Sequence, residues 1–223
     1  MILLKGSQRR VALLLGIDRK TVARKVLFLG IQDYKRRKSF LKKYEQQKAQ
    51  RIQFDDIVTF EHTKCKPVAI SLMVEEKTRK ILDFEVSQMS ANGLLAEVSR
   101  KKYGRRKDQR LENWRKLFKR SQSIVEEDAE FKSDEHPWYP GLVKEYFPKS
   151  QLKRFKGRRG CVVGQGELKS GGFDPLFSLN HTAAMLRDSL AVLVRRTWCT
   201  TKKLDNLKLL LEIYIQAHNC LLT

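Results

Sequence analysis

Between residues 52 and 89 three runs rich in β-branched and aromatic residues succeed one another: IQFDDIVTFEH (52–62), VAISLMVEE (68–76) and KILDFEVSQM (80–89). Only a few residues separate them, and EEKTRK (75–80) has the make-up of a hairpin turn. A parallel crossover needs a dozen or more residues, so connections this short leave antiparallel neighbours as the solution. The chain must therefore build a sheet that opens with a three-strand meander.

Downstream of the meander, helical and strand periods alternate. ANGLLAEVSRKKYG (91–104) opens a helical region, and LENWRKLFKR (111–120) continues it with apolar residues three and four apart. IVEEDAEFKSD (124–134) reads as a fourth strand, GLVKEYF (141–147) as a short helix stopped by Pro148, and QLKRF (151–155) as a fifth strand. A glycine-rich basic loop, 156–175, precedes two helical segments. These are LFSLNHTAAMLRDSLAVLVRR (176–196), with Pro175 at its start, and LDNLKLLLEIYIQAHN (204–219). Leu207, Leu210, Leu211, Tyr214 and Ile215 give the last helix an apolar stripe suited to core packing or to dimerisation. Three strands followed by alternating helices and strands is an α/β order. It matches the ribonuclease-H-like arrangement, a mixed sheet with flanking helices in which strand 1 lies beside strand 4.

Upstream of the sheet, SQRRVALLLGIDRKTVARKVLFLG (7–30) reads as two short helices around a turn. Val11, Ala12, Leu14 and Leu15 form the first apolar face, Gly16 ends that helix, and Asp18 caps the next. Val22, Val26 and Leu27 repeat at helical spacing. A small residue at the crossing, a glycine in the turn and a β-branched residue on the second helix make a helix-turn-helix. Arg19, Lys20, Thr21, Arg24 and Lys25 lie on its outward face, where they suit the major groove of DNA. Charge points the same way: of the net +21, residues 1–51 supply +12, with 15 Lys or Arg against 3 Asp or Glu. A surface so cationic attracts a polyanion. The basic stretch 34–51 is expected to be a linker or a helix along the DNA backbone.

In a sheet of this order, a carboxylate on strand 1 and one just after strand 4 converge. Asp55 and Asp134 occupy those places, with Asp56 as the alternative to Asp55 because strand alternation sends neighbours to opposite faces. Paired carboxylates repel unless a divalent cation sits between them, and hard oxygen ligands favour Mg2+ or Mn2+. Other chemistries lack their signatures. No CxxC joins Cys65, Cys161, Cys199 and Cys220, no GxSxG accompanies the four histidines, and GxxxxGK[ST] is absent. No apolar run is long enough to span a bilayer, so a cytoplasmic protein is expected.

FDDIVTFEHTKCKPVAI, FKSDEHPWY and SLNHTAAMLRDSLAVLVRRTWCTTKK together resemble bacterial insertion-sequence transposases of the insertion-sequence-one type, within the DDE superfamily. The likeness runs over 7–219, and RRTWCTTKK (195–203) is its most specific piece. It implies a ribonuclease-H-like catalytic core and metal-dependent DNA cleavage followed by strand transfer. It also implies an N-terminal region that recognises terminal inverted repeats. Asp55 matches the first catalytic Asp and Asp134 the second. The family's Glu stands seven residues before an Arg. That Arg is Arg187 here, and Asn180 stands in place of the Glu, with Glu167 of GQGELK the nearby carboxylate that could substitute. Asn offers one neutral carbonyl oxygen and holds Mg2+ less strongly than a carboxylate. Arg187 shares a helix face with Asn180 and suits a scissile phosphate. Arg195, Arg196, Lys202 and Lys203 are expected along the DNA path, and Trp198 either stacks on a splayed base or packs in the core. Relatives often carry a Cys-rich zinc module ahead of the helix-turn-helix. This chain is accordingly read as a truncated copy or as a form without that module.

The expected organisation is thus a helix-turn-helix module over 1–33, a basic linker over 34–51 and a ribonuclease-H-like domain over 52–223. The expected function is a transposase acting on double-stranded inverted-repeat and target DNA, as a homodimer. The rival expectation is an inactive copy that only binds DNA as a repressor.

Overall fold

The structure, a computed structural model, describes residues 2–156, 174–194 and 199–221. Its centre is a five-stranded mixed sheet of β1 (Ala49–Phe60), β2 (Pro67–Glu75), β3 (Ile81–Gln88), β4 (Val125–Ser133) and β5 (Gln151–Arg154). The order is β3-β2-β1-β4-β5. β1, β2 and β3 form the antiparallel meander, from Ile52 opposite Glu75 to Phe60 opposite Pro67 in the first pair. β4 then joins β1 in parallel, Gln53 opposite Lys132, and β5 joins β4 in parallel.

Helices cover both faces, which explains why β2 is almost continuously apolar and why β2 and β3 are both buried along most of their length. On one face α4 (Arg110–Ser121) and α5 (Tyr139–Tyr146) pack on Phe54, Met73, Leu82 and Phe131. Trp114, Leu117, Phe118 and Ser121, spaced three and four apart, are the buried side of α4. Phe54 sits at the hub, edge-on to Trp114, Phe118, Phe131 and Tyr139 at 4.8–6.0 Å between ring centroids. On the other face α6 (Phe177–Ser189) and α7 (Leu204–Leu221) cover Ile57, Ile70, Leu72 and Phe84. The α7 stripe is buried there as core. Near its end Asn219 extends the edge of β3, accepting from Ile81 N and donating to Ile81 O, both at 2.9 Å. α3 (Leu95–Tyr103) lies between β3 and α4 in the chain.

Ahead of the sheet stand α1 (Gln8–Leu15) and α2 (Arg19–Gln46). Ser7 caps α1, accepting from Arg10 N. Gly16 ends it in the left-handed region (φ 63°), a conformation that a Cβ would penalise. Asp18 caps α2, accepting from Lys20 N at 2.7 Å. Val11, Ala12, Val22 and Val26 bury one another between the two helices. Leu14 and Leu15, expected on that buried face, are exposed, because α1 is only two turns long and Val11 and Ala12 fill the contact.

Two helices differ in extent from the sequence expectation. Of the linker and the helix expected for the basic stretch, the structure has the helix: α2, expected as a short helix, runs unbroken through residues 34–46, and β1 begins at Ala49. The cause is tertiary: Gly30 lets α2 touch α7, where a Cβ would stand 2.6 Å from Leu209 Cβ. Seven residues on, Arg37 is buried, donating to Glu212 of α7 at 2.7 and 2.9 Å and to Asp83 of β3 at 3.0 Å. Burial works against its charge, and the two carboxylates more than offset it, so its pKa lies above the ordinary arginine value. Secondly, α6 stops at Ser189, short of 196. Leu190 turns extended and, with Leu193, is drawn into the core by a short 3-10 turn.

Candidate active site

β1 and β4 carry the candidate carboxylates to one end of the sheet. Continuing their parallel register two residues beyond Gln53–Lys132 sets Asp134, just past β4, level with Asp55. The backbone then turns back. Asp134 Oδ1 accepts from His136 N at 2.9 Å, and Pro140 near the start of α5 presents Tyr139. The buried Tyr139 hydroxyl donates to Asp55 Oδ1 at 3.0 Å, and Asp56 N donates to the same oxygen at 2.7 Å. Asp55 and Asp134 are close enough to feel each other's charge. Burial first, and the Asp134 charge second, push the Asp55 carboxyl up to about 7.

Asp56 goes elsewhere, as strand alternation requires. Its Oδ1 accepts from Ser71 at 2.6 Å, and Arg110 stands 4.0 Å from its Oδ2. Burial raises its pKa against those two partners. Arg110 in turn grips Asp108 at 2.7 Å and lies over the Trp138 ring at 5.1 Å, while Trp138 packs on His136. Sequence reasoning missed Tyr139 and Arg110 as neighbours of the carboxylates, although Tyr139 belongs to the FKSDEHPWY motif.

α6 is pinned beside the pair by Gln53, two residues before Asp55 on the same face. Its Oε1 accepts from Leu179 N at 2.9 Å and its Nε2 donates to Pro175 O at 3.0 Å. Asn180 is therefore held near this end of the sheet, but it is exposed and its amide donates to Asp174 Oδ2 at 2.9 Å. Among the described residues no hydrogen bond links Asn180 to either carboxylate. Arg187 is half-buried further along α6. Glu167, Arg195, Arg196 and Trp198 lie outside the described residues. Among those described, no three His, Cys, Asp or Glu side chains are grouped to hold a metal ion. The donor set that does converge, two half-buried carboxylates of which Asp55 resists ionisation, has the hard-oxygen chemistry that a divalent cation of the Mg2+ class accepts.

Of the basic residues, Arg19, Lys20, Arg24 and Lys25 are exposed along the first two turns of α2, with Thr21 half-buried. Lys202 and Lys203 are both exposed, and Lys202 Nζ is held 2.8 Å from His62 Nδ1 and 3.1 Å from Thr200 Oγ1. Among the described residues no helix is long and apolar enough to cross a membrane.

Fold and site together define an α/β protein with a mixed five-stranded sheet and a coupled carboxylate pair at the end of its adjacent parallel strands. Set against models of known families and against curated proteins, the chain matches none.

Proposed function

We propose that this chain is a DNA transposase of the insertion-sequence-one type. In this reading its core is ribonuclease-H-like, and it cleaves and transfers strands at terminal inverted repeats. The observation that carries the reading is the pairing of Asp55 on the central strand with Asp134 just beyond its parallel neighbour, near enough for charge coupling. The strand order β3-β2-β1-β4-β5, antiparallel on one side of β1 and parallel on the other, supports the fold assignment.

Asp55 and Asp134 would hold Mg2+ or Mn2+. Such an ion supplies Lewis-acid polarisation of a phosphoryl oxygen and favours the deprotonated form of an attacking water or 3′-hydroxyl. The chain's own groups prepare that chemistry. Tyr139 fixes the Asp55 carboxylate by its hydroxyl bond, and that bond favours the ionised form required of a ligand. Gln53 fixes the start of α6 against β1, and with it Asn180. Arg19, Lys20, Arg24 and Lys25 give α2 a basic face for duplex DNA, with Thr21 beside it, and Arg187 and Lys203 extend the cationic surface. In solution the working unit is a homodimer on DNA.

The test is strand cleavage. Full-length protein, a duplex taken from the DNA flanking the gene and labelled at one end, and Mg2+ should give a nick at the element end. Asp134→Asn should keep duplex binding and lose the nick. Cleavage that survives both Asp55→Asn and Asp134→Asn rejects the assignment.

Asn180 favours a second reading. A neutral, exposed amide engaged by Asp174 stands where a third carboxylate is expected, which suits a copy that occupies inverted repeats as a repressor without cutting. Specific binding with no nick in either Mg2+ or Mn2+ selects it.

A further inference from the structure

A cavity of about 850 Å³ opens between the segment after β3 and the loop joining α3 to α4. Arg100, Arg105, Arg106 and Lys107 line it, with Asp108 as the one acidic residue of its wall among the described residues. That acid is already neutralised, because Arg110 holds Asp108 at 2.7 Å. Among the described residues Arg100 and Arg105 make no salt bridge, and Lys107 has only a distant one, 3.8 Å to Glu112. Arg106 is anchored from behind. Its Nη1 donates to Glu61 at 3.4 Å and its Nε to Met89 O at 3.5 Å. Its Nη2 is buried without a hydrogen-bond partner. Four cations around one recess lower the energy of an anion there.

The recess adjoins the carboxylate site. Arg110, which clamps Asp108 of the cavity wall, is the same side chain that stands 4.0 Å from Asp56 and stacks on Trp138. Its volume falls in the range of sites for organic ligands and exceeds the needs of a lone inorganic ion. Its cations project from loop and helix end, as suits a backbone phosphate followed by its sugar.

We infer that this cavity is a second nucleic-acid contact, in which Arg100, Arg105, Arg106 and Lys107 grip a backbone phosphate of the strand led to the Asp55–Asp134 end of the sheet. The inference rests on the DNA-binding reading above and adds a further surface, apart from α2 and from Arg187 and Lys203, by which the chain holds its substrate. Arg106, held by Glu61 and Met89 O, adds a fixed positive charge to the wall, and the three exposed cations supply the contacts to the phosphate.

The experiment compares the full chain with the triple variant Arg100→Gln, Arg105→Gln, Lys107→Gln, all at exposed positions. A second variant, Lys20→Gln, Arg24→Gln, Lys25→Gln, removes the α2 face instead. Binding of a labelled oligonucleotide is measured across a salt series. Each lost phosphate contact reduces the salt slope by about 0.9, so the cavity variant, which loses its grip on one phosphate, should lose about 0.9 in slope and at least about tenfold in affinity. It should melt at the temperature of the unaltered protein. An unchanged slope and affinity in the cavity variant, beside a clear loss in the α2 variant, overturns this inference and leaves the DNA-binding reading standing. No oligonucleotide binding by the unaltered protein removes both. A deoxynucleoside monophosphate that binds the unaltered chain but not the cavity variant, with oligonucleotide affinity equal in the two, makes the cavity a free-nucleotide site and also overturns the inference.

Discussion

Tyr139 reaches across from α5 to place its hydroxyl 3.0 Å from Asp55 Oδ1, joining a buried phenol to a carboxylate that feels the charge of Asp134. The bond links the aromatic cluster around Phe54 to the chemistry at the end of β1, since Tyr139 is also a ring neighbour of Phe54 at 4.8 Å. Packing on one face of the sheet thereby sets the orientation of a polar group at its end.

Removing that hydroxyl isolates its effect. Tyr139→Phe keeps the ring and leaves Asp55 Oδ1 its bond from Asp56 N. Unfolding free energy should fall by about 1 kcal/mol, the usual net worth of one hydrogen bond. Because the lost bond favoured the ionised carboxylate, the pH profile of strand cleavage should move to higher pH. A profile that stays in place contradicts the role given to Tyr139.

Asp55 itself should be a stability liability at neutral pH. Its folded pKa of about 7 lies above the ordinary value of 3.8, so the folded state holds the proton more tightly than the unfolded chain. The stabilisation is full below pH 3.8 and is lost as pH rises to about 7. Over that window the change amounts to about 4 kcal/mol at most. Asp55→Asn, which cannot ionise, should therefore be more stable than the unaltered protein at pH 8, by an amount that shrinks toward zero near pH 4. Denaturant titrations at the two pH values measure it, and equal stabilities at pH 8 would contradict the burial and charge coupling assigned to this carboxyl.

The Arg37 cluster joins α2 to the core. Arg37→Met leaves Asp83 and Glu212 buried with one cation fewer, although Arg120 still donates to Asp83 at 2.9 Å. A loss of about 3–5 kcal/mol is expected for breaking such a buried pair. Glu127→Gln, whose partner Lys149 is as exposed as itself, should leave the stability almost unchanged. Urea unfolding of both variants checks the contrast.

Gly30 marks a close approach of α2 to α7. Gly30→Ala would put a Cβ 2.7 Å from the Leu209 carbonyl oxygen as well as against its side chain, so the helices must separate. Ordinarily alanine would strengthen a helix by about 1 kcal/mol. Here overpacking should reverse the sign, costing about 1–3 kcal/mol. Thermal unfolding distinguishes the two signs directly.

These relationships also mark where sequence reading succeeds and where it stops. The strands were legible because β-branched and aromatic runs with short connections have one economical arrangement, and β1 to β5 occupy close to the expected residues. Asp55 and Asp134 were legible as candidates because topology alone brings strands 1 and 4 together. The choice between Asp55 and Asp56 was not, since a one-residue step reverses the face and only the pairing register resolves it. Arg37 sits in the run YKRRKSF, indistinguishable there from its exposed neighbours. Its burial depends on Asp83 and Glu212, which are remote in the chain, so no local pattern announces it. The unbroken course of α2 has its origin in the same long-range contacts. Arg106 and Arg110 likewise read as ordinary members of a basic loop until folding sets them beside Glu61, Asp56 and Trp138.

Joint binding of a divalent cation by Asp55 and Asp134 is the central claim, and calorimetric titration of Mn2+ into the full chain at pH 8 measures it without any DNA. Heat of binding in the unaltered protein, abolished separately by Asp55→Asn and by Asp134→Asn but retained in Asp188→Asn, is the predicted result. Mn2+ affinity equal in the unaltered protein and both carboxylate variants would contradict it.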